Sequence, residues 1–564
     1  MNRTGIRSHG KRLAVAVAAG IALADASIVT LGLPSILVEL DATVEGVALV
    51  LGVYTAVLAL ALLPAARLSR RFGDAHVGAA GFALFLAASL GCGASNSLGL
   101  LLVLRGVQAL GGAAGLVGAF ALLDGGRPGA GRRMWVAASV FGIAIGPALG
   151  GALTQAFSWR AIFLAQAPIV LPGLLVAIQV ARTEPADVTA RDAGRASSPL
   201  PWRPAIALAL LSASLTAVIF LVVLLLVSGW SIEPLAAALA VSVLPVAAIA
   251  SSRLPGDPET RAVCGCLMVA GGVGCLALLP GASAWLTVVP QVLAGAGMGL
   301  ALPALSGGLI PERTQQDAAR LLTIRHAGIA IALAVLAPLI SSNLTSTIDT
   351  AREQGTAAVL DAKLPPQDKI EIAPDLFGGL DTDDPRGELQ KSIDQARTGL
   401  DGQDATELSQ LGDRLDDVVT GAVRSAFRPT FLVTSALALL AALILLTGGG
   451  RAAAALTRPA VAAAAIIALV AAGGYGIAYA TSTRETVQIA DPCHDRDLPD
   501  VGGISGALQD ISLAALDRAA CEFGSSREEL LLALFDDRLQ RKFEEEHGVN
   551  PRSALSLGPA LLGL

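Results

Sequence analysis

Apolar runs of about 20 residues alternate along the chain with short polar segments. A helix of that length crosses the hydrocarbon core of a bilayer, which is ~30 Å thick. We therefore expect six spans, a polar linker, six further spans interrupted by a polar insertion, and one extra span. The predicted spans are 13–37, 47–66, 76–95, 98–122, 133–154, 160–181, 204–228, 234–252, 261–280, 284–308, 321–342, 428–447 and 459–481.

The same pattern divides the chain into predicted domains and indicates an all-α polytopic membrane protein. Two six-helix halves form the body, and an extra C-terminal span leads to a small helical tail. The predicted domains are the N-terminal half (1–181), a linker (182–203), the C-terminal half (204–447) with its polar insertion (343–427), the extra span (459–481) and the tail (482–564).

The composition supports a membrane protein, because 54% of the residues are hydrophobic and only 15% are charged. A basic stretch from Arg3 to Arg12 precedes an apolar run too long for a signal-peptide core, so we expect the first span to be retained. No phosphate-binding GxxxxGK(S/T) loop, nucleophile elbow or HExxH motif occurs, so neither an enzyme nor a cofactor is predicted. No ligand set with zinc spacing and no basic aromatic patch for nucleic acid is present.

The arginines predict how the chain is oriented, since cytoplasmic loops carry the excess of basic residues. Arginines fill every second loop, whereas the alternate loops are mostly acidic or uncharged, as at Glu39 and Glu233. The alternation predicts a multi-pass protein of the cell membrane with a cytoplasmic N-terminus. With thirteen spans, the insertion, the tail and the C-terminus would then be extracytoplasmic.

Three polar residues inside apolar spans are the candidate chemistry. Asp25 lies in the first span, and Arg105 and Gln108 lie one helical turn apart in the fourth. A carboxylate within a bilayer is costly and is usually functional, and Arg105 could pair with it. The alternatives are that Asp25 lies near the lipid headgroups and that Arg105 extends to the outer surface of the membrane.

The fifth predicted span carries small residues at regular spacing. Gly142, Gly146 and Gly150 recur every four residues, which leaves one helix face bare for close packing against another helix. Pro147 adds a bend, and Gly151 follows directly. An ordinary packing seam is the alternative to a functional role.

Several of these strings resemble motifs of the drug:proton antiporters in the major facilitator superfamily. The string from Gly142 to Gly151 resembles the fifth-span antiporter motif, and the string around Asp25 resembles the first-span signature D-x-T-x-x-N-x-A-L-P. The fourth span around Arg105 resembles R-x-x-Q-G-x-G-A-A, with Ala109 in place of the first glycine. Trp159-Arg160 with Gln166 is similar to the start of the sixth span, and Thr323-Ile-Arg325-His326-Ala-Gly328 is similar to that of the eleventh.

The resemblance implies a major facilitator fold and proton-coupled efflux of a small amphipathic compound, drug-like or lipid-like. Asp25, Arg105 and Gln108 would then handle the proton. The glycines and Pro147 of the fifth span would seal the pathway between the halves. The implied partners are the substrate, protons and membrane lipids.

One loop departs from the family pattern G-x-L-A-D-R-x-G-R-R after the second span. Arg70 stands at the aspartate position, and Asp74 stands at a usually basic position. If the loop is helical, the two would lie one turn apart and could compensate for each other. The departure favours an alternative function, a non-transporting receptor or scaffold whose outer domains bind an envelope partner.

The outer segments carry helical patterns of their own. In the insertion, Leu408, Leu411, Leu415 and Val418 recur at helical spacing. The tail predicts a helix ending at Phe523 and a second helix from Arg527 to His547, capped by Ser525 or Ser526. Cys493 and Cys521 are the tail's cysteines, and an oxidising outer compartment predicts a disulfide between them.

Overall fold

The structure is a computed structural model. It describes residues 9–124, 146–183, 200–309, 315–365, 369, 385–397, 403–447, 458–482, 487, 489–494, 499 and 503–553. The described part of the chain is helical and contains no strand, so the predicted all-α fold is confirmed.

The N-terminal half contains seven helices in its described residues. They are α1 (His9–Thr30), α2 (Leu33–Glu39), α3 (Val44–Phe72), α4 (Asp74–Gly93), α5 (Leu98–Asp124), α6 (146–156) and α7 (Arg160–Ala181). The first predicted span is shorter than expected, because a turn at Leu31 and Gly32 separates α1 from α2.

The rest of the described chain contains eleven α-helices and three short 3₁₀ or π segments. The α-helices are α8 (Trp202–Leu224), α9 (Pro234–Ser252), α10 (Pro258–Leu276), α11 (Val288–Pro303), α12 (Gln315–Asp361), α13 (Pro385–Arg397), α14 (Gln403–Leu446), α15 (Pro459–Thr481), α16 (Gly503–Phe523), α17 (Arg527–Phe535) and α18 (Asp537–His547). A π turn, Leu225–Gly229, extends α8, a 3₁₀ turn, Ala284–Thr287, precedes α11, and a second π turn, Ala304–Gly308, follows it.

Twelve of these segments are long and apolar enough to cross a membrane. They correspond to every predicted span except the fifth, 133–154, of which residues 133–145 lie outside the described part of the chain. The structure therefore describes a multi-pass helical membrane protein.

The chain forms two compact units. Unit 1 comprises Met1–Val227, Ile232–Ser341 and Phe427–Thr481, and unit 2 comprises Ser228–Ser231, Ser342–Ala426 and Ser482–Leu564. Unit 1 contains most of the membrane-spanning segments. Unit 2 contains most residues of the predicted insertion and of the predicted tail. The domain boundaries predicted from the sequence remain a prediction.

Glycines let neighbouring helices of unit 1 approach each other closely. A Cβ atom at Gly81 or Gly111 would overlap backbone atoms across the α4–α5 contact, and one at Gly265 or Gly297 would do the same between α10 and α11. Close backbone approach through small residues is how membrane helices gain packing contacts where water does not drive association. Glycines thus allow close packing of α4 against α5 in the N-terminal half and of α10 against α11 in the C-terminal half.

Unit 2 has small cores of its own. Leu408, Leu411 and Leu415 of α14 are buried together with Leu389 and Ile393 of α13, which fits the predicted helical pattern in the insertion. A second cluster joins α16, α17 and α18 around Leu530 and Phe543. In each cluster, apolar side chains from different helices pack against one another.

The second tail helix differs from its prediction. The single helix expected from Arg527 to His547 is wrong, because Asp536 adopts an extended conformation and separates α17 from α18. Its carboxylate accepts hydrogen bonds from the amides of Arg538 and Leu539, so it caps α18. Aspartate is a favoured N-cap residue, and this local bonding outweighs the continuous helical pattern. Ser526 is the cap of α17, accepting from the Glu529 amide at 3.0 Å.

Candidate functional site

An ion pair lies in the interior of the N-terminal half. Arg105 Nη1 of α5 is 2.6 Å from Asp25 Oδ2 of α1, and neither side chain is exposed. The structure thus brings together two charged residues that the sequence places in different spans. Removing two charges from water is expensive, and their attraction and hydrogen bonds offset that cost.

Three uncharged polar residues extend the pair into a network. Gln166 of α7 donates to Asp25 Oδ1 at 2.9 Å. Gln108 accepts from Arg105 at 2.6 Å and donates both to Gln166 and to Ser89 of α4, each at 2.8 Å. Buried polar groups of this kind are stable when most of their bonds are made.

Aromatic and backbone groups enclose the Arg105 guanidinium. Its Nε donates to the Val50 carbonyl at 3.0 Å, and its carbon lies 4.3 Å from the centre of the Tyr54 ring. The Phe163 ring lies 5.5 Å away on α7. Contact with ring faces stabilises a desolvated cation such as Arg105.

The two carboxylate oxygens of Asp25 have different neighbours. Its Oδ2 lies 2.6 Å from Arg105 Nη1 as an ion pair, and Nη1 donates a hydrogen bond to Gln108. No hydrogen bond from another described residue reaches Oδ2. Oδ1 accepts from Gln166, so Asp25 is held by Gln166 at one oxygen and by Arg105 at the other.

A cavity of about 50 Å³ lies beside this network, between helices of the two halves. Tyr54 connects the two features, because its ring contacts Arg105 and also lines the cavity. Small-molecule sites usually enclose ~300 Å³ or more, so a bound substrate requires these helices to separate. The cavity is lined by Leu23, Ala26, Ser27, Thr30, Tyr54, Thr55, Ser212, Leu215, Thr216, Ile219, Met298, Leu302, Arg325, His326 and Ile329.

The glycines of α6 place this helix between the two halves. A Cβ atom at Gly146 would overlap Ser27, and one at Gly150 would overlap the carbonyl oxygen of Ile28, both on α1. On another side of α6, a Cβ atom at Gly151 would overlap Ala238 of α9 in the C-terminal half. Pro147 lies within this helix, and Gly142 lies outside the described residues.

Arg70 and Asp74 do not pair with each other as the sequence suggested. Gly73, with φ of 94°, ends α3 and starts α4, so the expected helical turn between them is interrupted. Both residues instead contact the start of α12 in the C-terminal half. Arg70 donates to Gln316 Oε1 at 3.1 Å, and Asp74 Oδ1 accepts from Gln315 Nε2 at 2.9 Å.

At the opposite end of α3, Glu39 joins the start of α7. Its carboxylate pairs with Arg160 and accepts a hydrogen bond from the Trp159 indole at 2.5 Å. The hydrogen bond from Arg160 lowers the pKa of Glu39, outweighing the opposing effect of burial. The carboxylate therefore stays charged and ties the α2–α3 loop to α7.

Sequence reasoning missed several members of the site. Gln166 and Arg325 appeared only as positions in resembling motifs, and Ser89 and Tyr54 were not singled out. Polar residues within apolar spans are a signal for all four. The missing information is which helices are neighbours, because that decides which polar side chains meet.

Unit 2 contains the disulfide predicted from the sequence. It joins Cys493 to Cys521 of α16, with Cα atoms 5.0 Å apart. In the described part of the chain, one group of side chains has metal-ligand spacing, formed by Glu529, Glu546 and His547. Its His547–Glu529 contact, at 3.2 Å, is an ion pair when the histidine is protonated, and partly exposed acidic groups of this kind commonly hold no metal.

Comparison with known proteins places these features in a family. The sequence profile of the Major Facilitator Superfamily matches residues 15–331. The multidrug resistance protein Stp of Mycobacterium tuberculosis (strain CDC 1551 / Oshkosh) is 32% identical over 178 residues, which are 30% of this chain and 32% of that protein. The tetracenomycin C resistance and export protein of Streptomyces glaucescens is 30% identical over 183 residues, 31% of this chain and 34% of that protein. The chain thus spans about a third of the length of these curated relatives.

A solved structure shares the fold. The inward-facing, unoccupied form of a bacterial homologue of the human lysosomal transporter Spinster aligns with a TM-score of 0.52 and 16% identity. The alignment covers 78% of this chain and 98% of that one. At this identity the likeness concerns the fold alone.

Proposed function

Because the chain belongs to the Major Facilitator Superfamily, whose members are transporters and not enzymes, we propose that it is a proton-coupled exporter of small amphipathic compounds. The observation that carries the proposal is the unexposed Asp25–Arg105 pair beside a cavity between the two halves. Such a pair is costly to bury unless protonation of its carboxylate is used. The names of the curated relatives, a multidrug resistance protein and a resistance and export protein, support export as the direction.

Protonation of Asp25 is the proposed coupling step. A neutral Asp25 holds Arg105 less strongly than a charged one does, so α1 and α5 are freed to shift relative to each other. Gln108 and Gln166 preserve the orientation of both groups in either state through their hydrogen bonds. Exchange of proton for substrate follows if each ligand favours a different conformation of the two halves.

The proposed gate lies where α6 contacts both halves. Gly150 keeps α6 against α1, which carries Asp25, and Gly151 keeps it against α9. A change in α1 can therefore be transmitted to the C-terminal half through direct backbone contact. Arg70 and Asp74 contribute contacts between the halves at Gln315 and Gln316.

These contacts bear on the receptor alternative. That function was favoured by the unusual residues at positions 70 and 74, which suggested a lost gate. In the structure the two residues still bond to α12 of the opposite half, so the departure is compatible with a gate built from different partners. We therefore prefer transport in the cell membrane, with the N-terminus in the cytoplasm, and do not propose an envelope partner.

Reconstitution tests the proposal. Purified protein in proteoliposomes containing a pH-sensitive dye should release or take up protons when compounds from an amphipathic panel are added, and empty liposomes should not. The panel should combine rigid aromatic and flexible alkyl bodies, since leucine, isoleucine and methionine side chains line part of the cavity. Substrate movement that is independent of an imposed pH gradient would refute proton coupling.

A further inference from the structure

Arg325 is a cation of the cavity wall that forms an ion pair with no described carboxylate. It belongs to α12 and lines the cavity beside Tyr54 and Ser27. Its Nε has no hydrogen-bond partner, and within the described part of the chain no carboxylate forms an ion pair with its guanidinium. Arg325 is partly buried, and a charge held partly away from water is costly unless something pairs with it.

Ser212 of α8 is a second polar group of the same wall that lacks a partner. Its hydroxyl is buried and makes no hydrogen bond with any described residue. Neighbouring hydroxyls differ, since those of Thr30 and Thr55 donate to carbonyls of their own helices. The cavity therefore presents two unused donors, Arg325 and Ser212, from adjacent helices of the C-terminal half.

The charges around the cavity determine which kind of ligand these two donors favour. The charge of Asp25 is compensated by Arg105, so that pair contributes no net charge to the cavity. The chain neighbour of Arg325, His326, carries no negative charge and so cannot compensate it; the His326 Nδ1 is 2.9 Å from the Leu322 carbonyl oxygen. The cavity is thus positively charged when Asp25 is ionised.

We propose that the exported compound carries an oxyanion, a carboxylate or a phosphate or sulfate ester, which Arg325 and Ser212 bind. Arginine and a hydroxyl donor match the geometry of an oxyanion, and charged hydrogen bonds are stronger than neutral ones. The apolar body of the compound lies against Leu215, Ile219, Met298 and Leu302. This inference rests on the proposed function and specifies its substrate class.

Binding to the full chain in lipid nanodiscs tests the inference. The probes are three compounds that share a naphthylhexyl body and end in a carboxylate, a primary amide or a trimethylammonium group. Equilibrium dialysis, corrected with empty nanodiscs, should show that the carboxylate binds about tenfold tighter than the amide or better. The trimethylammonium compound should bind most weakly.

Substitutions test whether Arg325 causes the preference for the carboxylate over the amide. Arg325→Gln should remove the difference between carboxylate and amide, Arg325→Lys should retain part of it, and Arg67→Gln, at an exposed arginine outside the cavity, should retain all of it. Failure of the carboxylate to bind, equal binding of carboxylate and amide, or a preference that persists in Arg325→Gln would overturn the inference.

Proton movement in proteoliposomes separates this inference from the proposed function. Selective binding of the carboxylate without proton movement would support the oxyanion site and refute proton coupling. Proton movement driven equally by all three compounds, and undiminished in Arg325→Gln, would refute the oxyanion site and leave proton coupling standing.

Discussion

At the scale of single residues, the proposed proton coupling requires a carboxylate that is buried and paired. Asp25 is both, since Oδ1 accepts from Gln166 and Oδ2 forms an ion pair with Arg105. Breaking a buried pair by removing one partner costs ~3–5 kcal/mol, because the other charge remains uncompensated. Removing both charges costs less.

A double-mutant cycle tests that pairing. Arg105→Gln should lower the unfolding midpoint of the detergent-purified protein strongly, because Asp25 is left charged or must take up a proton. The double variant Asp25→Asn with Arg105→Gln should recover much of the loss. Thermal unfolding followed by tryptophan fluorescence gives the midpoints, and strictly additive effects would show that the pair does not stabilise the fold.

Part of this site can be predicted from residue types alone. Asp25, Arg105 and Gln108 stand out because charge within an apolar span is costly, whatever the neighbouring helices are. Gln166 and Arg325 cannot be assigned in the same way, because their roles depend on which helix faces which. Arg325 illustrates this, since the sequence places it at the start of a span and the structure places it in the cavity wall.

At the scale of elements, α6 is a helix whose position is set by three glycines. Gly146 and Gly150 allow contact with α1, and Gly151 allows contact with α9. The four-residue spacing predicts the close packing, because it defines one face of a helix. Which helices are contacted follows only from the folded arrangement of both halves.

Substitution of one glycine tests the close contact. Gly150→Ala places a methyl group against the Ile28 carbonyl oxygen and should cost about 1–3 kcal/mol of stability with loss of transport. Gly474→Ala is the matched control in α15, where no atom lies within 4 Å of the added Cβ. Equal behaviour of the two variants in thermal unfolding and transport would contradict the packing account.

The tail shows where helical periodicity misleads. Apolar spacing from Arg527 to His547 predicts one helix, yet Asp536 starts a new one because its carboxylate bonds two backbone amides. The apolar periodicity reflects the buried faces of both α17 and α18, and it does not reveal that a single capping residue, Asp536, separates them. The disulfide was predictable because the tail holds one pair of cysteines.

Removal of that disulfide should loosen α16. Replacing Cys493 and Cys521 with serine opens a link across 28 residues, and loss of such a link typically costs ~2–4 kcal/mol. Hydrogen exchange of the full protein should become faster in residues 503–523, and reduction of the unmodified protein should have the same effect. Unchanged exchange in both cases would show that the bond does not stabilise this helix.

At the scale of the whole molecule, the main prediction that the structure does not test is the orientation of the chain in the membrane. The alternation of arginine-rich loops predicts that the insertion and the tail lie outside the cell. Twelve candidate spans are present among the described residues, and the described end of the fifth predicted span is helical. The side of the membrane on which each loop lies can be determined by labelling.

Cysteine labelling in intact cells tests the orientation. Lys363→Cys and Arg552→Cys, both at exposed positions and each in a background without other accessible thiols, should react with an impermeant maleimide before lysis. Leu254→Cys, an exposed position in the loop between α9 and α10, should react only after lysis. The reverse result at these positions would invert the proposed orientation.

The central claim is that Asp25 carries the coupled proton, and counterflow measured beside proton-driven accumulation tests it most directly. In proteoliposomes, Asp25→Asn should retain exchange of labelled for unlabelled substrate across the membrane, because Asp25 is not among the residues that line the cavity. It should lose accumulation driven by an imposed pH gradient, whereas Asp25→Glu should keep some. Undiminished gradient-driven accumulation by Asp25→Asn would contradict the account.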